Sequence, residues 1–233
     1  MAARRRRWHA ICLACVLVAG PGVAAEIAIA PITALIAADS TQTSTWVYNQ
    51  GSTPWQAEAR LYRWRQVDGR DVLEPATTAT VSPQRFEIPA NSRQLLRLIR
   101  LSPAPSQQED SYRLVVTQDG TNGEPTLLRY STPVFIQPSP PADVHPRLHA
   151  RLLHEGGTTV LTVSNSGQGH ARLADLTYLG NDGSRRSVRE ALAGYVLPGQ
   201  SRRWVLPAGL PLADGRFVAR INGDPESMLA LDP

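Results

Sequence analysis

The sequence predicts an all-β protein made of two antiparallel β-sandwiches. Short apolar or alternating runs recur about every ten residues, and turns rich in Gly, Asn, Asp and Pro separate them. No stretch has the i, i+3, i+4 apolar spacing of a long amphipathic helix. Seven such runs precede a proline-rich segment and six follow it. This number and spacing of strands indicate one sandwich on each side of that segment.

The first twenty-five residues have the three parts of a secretory signal peptide. Arg4–Arg7 form a basic start, Ile11–Gly20 an apolar centre, and Val23-Ala24-Ala25 a cleavage site of small residues. We therefore predict that residues 1–25 are removed and that the protein acts after export. Because the apolar centre is too short to cross a bilayer, no stable membrane insertion is expected.

The charge of the chain after this leader argues against nucleic acid as a partner. The sequence has 24 basic and 20 acidic residues, and four of the basic ones lie in the leader, which leaves 24 − 4 = 20 against 20. A chain of about zero net charge lacks the basic surface that binds phosphate backbones. Every basic residue is arginine, the better side chain for bidentate capture of a carboxylate.

The seven strands predicted for the first domain are separated by turn sequences such as Asn49-Gln50-Gly51-Ser52 and Asp68-Gly69. The predicted strands are Ile27–Ile36, Thr45–Tyr48, Ala57–Trp64, Arg85–Ile88, Gln94–Leu101, Tyr112–Thr117 and Leu127–Ile136.

Pro138-Ser139-Pro140-Pro141 cannot continue a sheet and makes a stiff connector. We therefore predict a first domain over residues 26–138, a linker over 139–141 and a second β domain over 142–233. The motif Val163–Gly167 in the second domain repeats the strand-to-turn pattern of Val47–Gly51 in the first. The six later strands are predicted at Arg147–Leu153, Thr158–Ser164, Ala171–Leu179, Ser187–Leu192, Arg202–Leu206 and Arg216–Ile221.

Six short motifs in the first domain make it resemble the periplasmic pilus-assembly chaperones of chaperone and usher systems, and most closely their archaic class. The motifs keep the family's order and spacing across residues 26–138. They are Trp46–Gly51, Arg63–Gly69, Val81–Pro83, Gln94–Leu98, Tyr112–Leu114 and Tyr130–Phe135.

This resemblance implies two immunoglobulin-like domains in an L or boomerang arrangement. It also implies a periplasmic, non-enzymatic chaperone without a cofactor, which caps pilin subunits by strand donation and delivers them to an outer-membrane usher. Free molecules of such a protein could pair with each other through their exposed edges.

The strand expected to be donated is Thr126–Phe135. Its candidate insertion residues are Thr126, Leu128 and Tyr130, which share one face because strand side chains alternate. The alternative is that Leu128 and Tyr130 pack into the protein's own core.

The expected anchor for the subunit's terminal carboxylate departs from the family pattern. Classical members use an arginine on the first strand and a lysine just before the final apolar run, but the corresponding positions here, judged by spacing from Asn49 and Pro138, are Thr33 and Pro133. Arg113 and Arg129 are the arginines available to replace them. The alternative is that either is paired with a local acid such as Glu109 or Glu124.

Five further residues receive roles. The resemblance places Arg97 and Glu109 in a structural salt-bridge network near the domain junction. Alternation predicts Trp64, like Trp46, to be a core residue, whereas Trp55, next to Pro54 in a turn region, is predicted to be exposed.

Other functions find less support in the residues. His145, His149 and His154 do not have the spacing of a metal site if they lie on strands, so no metal is expected. A secreted hydrolase on a β-sandwich lacks a candidate catalytic group. A pilus adhesin or surface-coat subunit remains the main alternative, although Ile27–Ile36 reads as an ordinary first strand.

Overall fold

A computed structural model describes residues 26–119, 128–139, 144–212 and 215–231 of the protein. Within these ranges the chain forms seventeen β-strands and no helix. The all-β prediction is therefore confirmed. The predicted signal peptide lies outside the described residues, and so does most of the predicted linker.

The first ten strands form two sheets. One has the order β1-β3-β8-β6, and the other has the order β2-β10-β9-β4-β5, with β7 also paired to β4. The strands are β1 (Ile27–Ala30), β2 (Ala34–Ile36), β3 (Gln42–Asn49), β4 (Trp55–Val67), β5 (Arg70–Pro75), β6 (Ala79–Ser82), β7 (Arg85–Ile88), β8 (Ser92–Arg100), β9 (Asp110–Gln118) and β10 (Arg129–Ile136).

The last seven strands form a second pair of sheets, with orders β11-β12-β15 and β14-β13-β16-β17. The strands are β11 (Leu148–Glu155), β12 (Thr158–Asn165), β13 (Ala171–Leu179), β14 (Arg185–Val196), β15 (Ser201–Val205), β16 (Arg216–Ile221) and β17 (Glu226–Leu229).

The segment predicted as one first strand, Ile27–Ile36, is two strands in different sheets. A bend at residues 31–33 separates β1 from β2. β1 pairs antiparallel with β3, whereas β2 pairs parallel with β10. Pro31 has no N–H for a ladder, so the first pairing ends there and the chain passes to the other sheet.

Each sandwich encloses its own apolar core. In the first half of β4 the buried residues are Trp55, Ala57, Ala59 and Leu61, the alternation of a strand with one face inward. The prediction that Trp55 is exposed is wrong, since only 7% of it is accessible. Trp55 follows Pro54 and is the first inward-facing residue of β4, so its ring packs in the core, with its centroid 6.5 Å from that of Phe86.

The repeated turn motif has the same hydrogen bonds in both sandwiches. Asn49 accepts from the N–H of Gly51 and donates to the carbonyls of Thr53 and Ile88. Asn165 likewise accepts from the N–H of Gly167 and donates to two main-chain carbonyls. Both amides are buried, so the motif ties a turn to a neighbouring strand in each half.

A third apolar cluster joins the two sandwiches. Trp64 and Phe135 of the first pack with Tyr195 and Leu197 of the second. Trp64 is buried as predicted, but it lies at this junction rather than inside the first sandwich. Trp46 is only partly buried, and the guanidinium of Arg93 lies 4.1 Å from its ring centroid.

Candidate functional site

One edge of β10 is only half covered. β9 pairs with β10 over its full length, from Arg129 to Ile136, whereas β2 covers the opposite edge only at Val134–Ile136. No strand in the described part of the chain pairs with the outer edge of residues 129–133. An uncovered strand edge is a template for pairing with another chain.

The hydrogen bonds of β10 show which main-chain groups face outward. The N–H of Gln118 donates to the carbonyl of Leu128 over 3.0 Å, so the main-chain groups of Leu128 face β9. In an antiparallel pair these groups alternate between the two sides, so those of Arg129, Ser131 and Pro133 face outward. On the same outward side, the N–H of Gln137 donates to Ile36 of β2 over 3.0 Å.

Tyr130 and Leu128 continue the core-facing side of β10 toward its open end. Tyr130 packs against the first core, edge-on to Trp55 with ring centroids 6.5 Å apart. Leu128 is 40% exposed. Thr126 lies outside the described residues. The described pair thus forms an apolar face that is increasingly open to solvent toward the start of β10.

Arg113 lies on the opposite face of the sheet, directly across from Pro133. Its guanidinium carbon is 3.7 Å from the ring centroid of Trp64 and 5.4 Å from that of Tyr195. Burial lowers the pKa of Arg113 below its ordinary value, since removal from water disfavours the charged form. Arg113 forms no salt bridge with any described acid, but the charge of Asp71 favours its charged form and partly offsets the effect of burial.

Arg129 differs from Arg113 in being exposed at the start of β10, where it pairs with Thr117. It has no salt bridge within the described ranges, and Glu124, the acid proposed as its local partner, lies outside them. The structure therefore places the two candidate anchors on one face of the sheet but at different depths.

Glu109 lies at the junction, as the resemblance implies, but its partner is His170 rather than an arginine. One carboxylate oxygen accepts from the main-chain N–H of His170 over 2.8 Å and lies 2.5 Å from Nδ1 of its ring. Arg97 is not part of this contact. It is exposed on β8, opposite Ser44, and has no salt bridge with a described residue. The two residues predicted to share one network are therefore not brought together.

A polar contact at the junction that sequence reasoning missed is centred on Gln66. Its side-chain amide donates to the carbonyl of Tyr195 over 2.7 Å and accepts from the N–H of Leu197 over 3.1 Å. Gln66 is buried. In β4 the buried positions are odd-numbered up to Leu61 and even-numbered at Trp64 and Gln66. Because successive side chains of a strand lie on opposite faces, the second sandwich covers the face of β4 that is turned away from the first core. The sign of this in the sequence is that Trp64 departs from the odd-numbered apolar run that ends at Leu61.

Asp71 completes this contact. It accepts from the indole N–H of Trp64 over 3.0 Å and from Gln66 over 3.1 Å, and it forms a salt bridge of 2.5 Å with Arg202 of the second sandwich. Burial opposes ionisation of this carboxyl, but the hydrogen bonds from Gln66, Arg202 and Trp64 outweigh it and lower the pKa of Asp71.

The described residues contain no group of three His, Cys, Asp or Glu side chains that could hold a metal ion. None of the elements in these same ranges is a helix long and apolar enough to span a membrane. The features that stand out are therefore the open edge of β10 and the junction beside it.

The comparisons with known proteins relate the chain to one group. Residues 26–141 match the family model of the pili and flagellar-assembly chaperone N-terminal domain, PapD type. No curated protein matches the chain significantly by sequence.

Solved structures share the fold over most of the chain. A chain of the CsuC–CsuE chaperone–tip subunit complex from the archaic Csu pili of Acinetobacter baumannii is 23% identical, with a TM-score of 0.74 over 90% of this chain and 100% of that one. The CupB2 chaperone of Pseudomonas aeruginosa is 17% identical, with a TM-score of 0.59 over 86% and 97% of the two chains. A chain of the SafA pilin–SafB chaperone complex of Salmonella enterica is 17% identical, with a TM-score of 0.59 over 86% of this chain and 92% of that one.

Proposed function

Since the chain belongs to the family of pili and flagellar-assembly chaperones, we propose that it holds unassembled pilin subunits in the periplasm and passes them to an outer-membrane usher. The observation that carries this proposal is the open outer edge of β10 beside an apolar face. Two of the structures that share this fold are chaperone–subunit complexes. The role is one of binding, and it needs neither a cofactor nor a catalytic group.

The proposed mechanism is strand donation. A pilin that lacks one strand of its sandwich leaves an apolar groove and unpaired main-chain groups. β10 supplies both needs, because the outward N–H and C=O groups of Arg129 and Ser131 can extend the subunit's sheet while Leu128 and Tyr130 enter the groove. Thr126 would extend the same face. The partial exposure of Leu128 leaves it available for this insertion.

The end of the open edge suggests where the subunit terminates. β2 occupies the outer edge from Val134 onward, so a strand added to β10 has to stop beside Pro133. Arg113 lies across from that residue, and it forms no salt bridge with a described acid, although Asp71 is near enough to act on its charge. A terminal carboxylate that turns over the junction face of β10 would reach this guanidinium, and we assign the carboxylate anchor to Arg113 with Arg129 as a second, outer cation.

Two further assignments belong to this proposal. Residues 1–25 act as a cleavable signal peptide that brings the chain to the periplasm. The two sandwiches are separate domains of residues 26–138 and 142–233 joined at residues 139–141. The two cores have no member in common, which supports the division.

The experiment is periplasmic co-expression with a pilin subunit encoded beside the chaperone gene, followed by purification of the complex. The double variant Leu128→Asp/Tyr130→Asp should lose the one-to-one complex while the chaperone stays folded, because a charge in the apolar groove is costly. Leu153→Asp is the matched control, since Leu153 is also 40% exposed but lies on the second sandwich. An intact complex with the folded double variant would refute donation by this strand.

A further inference from the structure

Two opposite charges lie against the indole ring of Trp64 at the junction. The guanidinium carbon of Arg113 lies over the face of this ring, 3.7 Å from its centroid. The carboxylate of Asp71 lies at the edge of the same ring, where it accepts from the indole N–H over 3.0 Å. Although both side chains contact one ring, they form no salt bridge with each other in the described structure.

Asp71 is instead held by Arg202 of the second sandwich. One oxygen of the carboxylate accepts from Trp64 and Gln66, and the other forms the salt bridge of 2.5 Å with Arg202. Both oxygens are therefore occupied without Arg113. Because this salt bridge joins β5 to β15, the second sandwich controls the charge beside the proposed anchor.

The pKa of Arg113 shows that these neighbouring charges act on it. Burial lowers that pKa most, the carboxylate of Asp71 raises it, and the guanidinium of Arg202 lowers it. Two arginines and one acid therefore share the site, which gives a net charge of 2 − 1 = +1. This excess positive charge is what an incoming carboxylate meets.

We propose that Arg202 keeps Arg113 available for the carboxylate of the bound pilin subunit by holding Asp71 in a separate salt bridge. This role rests on the proposed function, in which Arg113 is the carboxylate anchor. Arg202 need not touch the subunit. It is a positioning residue that acts through Asp71.

The reason is that Asp71 is itself a carboxylate and competes for the same cation. Loss of Arg202 would leave one oxygen of Asp71 without a partner at a partly buried position, which is unfavourable. Arg113 is the cation on the same indole, so Asp71 would turn toward it. The net charge would fall to 1 − 1 = 0, and the subunit's carboxylate would be repelled by Asp71 as well as attracted by Arg113.

The other possible role of Arg202 is to join the two sandwiches and nothing more. That role depends only on the salt bridge, which is lost whether Arg202 or Asp71 is replaced. The double variant Asp71→Asn/Arg202→Gln separates the two roles, because it lacks the salt bridge and also lacks the competing carboxylate. Its net charge is that of Arg113 alone, +1, as in the wild type.

The test measures binding of the refolded pilin subunit by surface plasmon resonance. The chaperones compared are the wild type, Arg202→Gln, the double variant and Arg203→Gln, each shown to be folded by circular dichroism. Arg203→Gln is the matched control, since Arg203 is the next residue of β15 and pairs with Glu155 instead of Asp71.

Arg202→Gln should bind the subunit roughly tenfold more weakly than the wild type. The double variant should return to within about threefold of the wild type, and Arg203→Gln should leave binding unchanged. Equal weakness of the single and double Arg202 variants would assign Arg202 a structural role and overturn the proposal, as would full binding by Arg202→Gln or an equal loss in Arg203→Gln. Failure of the wild type to bind the subunit would instead refute the proposed function.

Discussion

The imidazole of His170 lies flat on the ring of Phe135, with centroids 3.6 Å apart and planes 4° apart. Phe135 belongs to β10, the strand proposed for donation, and His170 belongs to the second sandwich. The same imidazole lies 2.5 Å from the carboxylate of Glu109, just before β9. The second sandwich therefore holds the inner end of the proposed donor strand in place without lying on its open edge.

His170→Ala should lower the free energy of unfolding by about 2 kcal/mol, because it removes both a ring stack and a hydrogen bond to a buried carboxylate. Chemical denaturation followed by tryptophan fluorescence measures this loss, since Trp64 lies in the same cluster. His170→Phe is the comparison variant, as it keeps the stack and loses only the hydrogen bond, and should give an intermediate value. Equal stabilities for wild type and the alanine variant would show that the contact contributes nothing.

Gln66→Ala should destabilise the protein by about 2 kcal/mol, because the carbonyl of Tyr195 and the N–H of Leu197 lose their buried partner. Gln56→Ala is the matched control on the same strand, where the amide is exposed and donates a hydrogen bond to the exposed carboxylate of Glu87. It should change stability by less than about 0.5 kcal/mol. Urea titrations of the two variants decide the point, and equal midpoints would contradict a role for Gln66 in joining the sandwiches.

Asp71→Asn should cost about 1 kcal/mol at neutral pH, a modest value because the salt bridge with Arg202 is partly exposed. The pKa of Asp71 is lower in the folded protein than its ordinary value of 3.8. Its ionised form therefore stabilises the fold above that value, and the contribution disappears as the pH falls through the folded pKa. The difference between wild type and variant should be constant above about pH 5 and shrink in more acidic solution, as thermal unfolding across this range would show. A difference that grows on acidification would contradict this.

Arg113→Gln should weaken binding of the co-expressed pilin subunit by at least about tenfold, since a charge-assisted hydrogen bond to its carboxylate is lost. The stability of the free chaperone should change by less than about 1 kcal/mol, because the lost contact with Trp64 is offset by release of a charge held away from water. Surface plasmon resonance with the refolded subunit measures the binding.

The matched control for this substitution is Arg93→Gln. Arg93 also stacks on a tryptophan, Trp46, but it lies on the other sheet. It should leave subunit binding unchanged. Equal losses for the two variants would mean that Arg113 has no special place in recognition.

Alternation and turn residues predicted most strands that build each core, because those signals are local, but they missed β6 and β17, which supply Val81 and Leu229 to the cores. They did not reveal that Ile27–Ile36 divides between two sheets, since its apolar run continues across the bend at residues 31–33. Trp55 was misplaced because its proximity to a turn concealed that it is the first inward residue of β4.

The junction was the least predictable part of the molecule. Glu109 and His170 lie 61 residues apart in the chain, and nothing in either local pattern indicates that they meet. Gln66 and Tyr195 pose the same difficulty. The contacts at the junction depend on the surface shape of both sandwiches. Each of those surfaces is built by residues from several strands, so a local sequence pattern does not predict them.

Strand β4 runs unbroken for thirteen residues, with Trp55 in the first core and Trp64 and Gln66 at the junction. The later residues point toward the second sandwich only when the strand is already in register with β9, because a slip of one position would turn them away. The first core contains no residue of the second sandwich and can form without it. Because domains generally fold as units and the earlier half is made first, we expect it to complete its core before the later half docks on it, so that the order of assembly follows the direction of the chain.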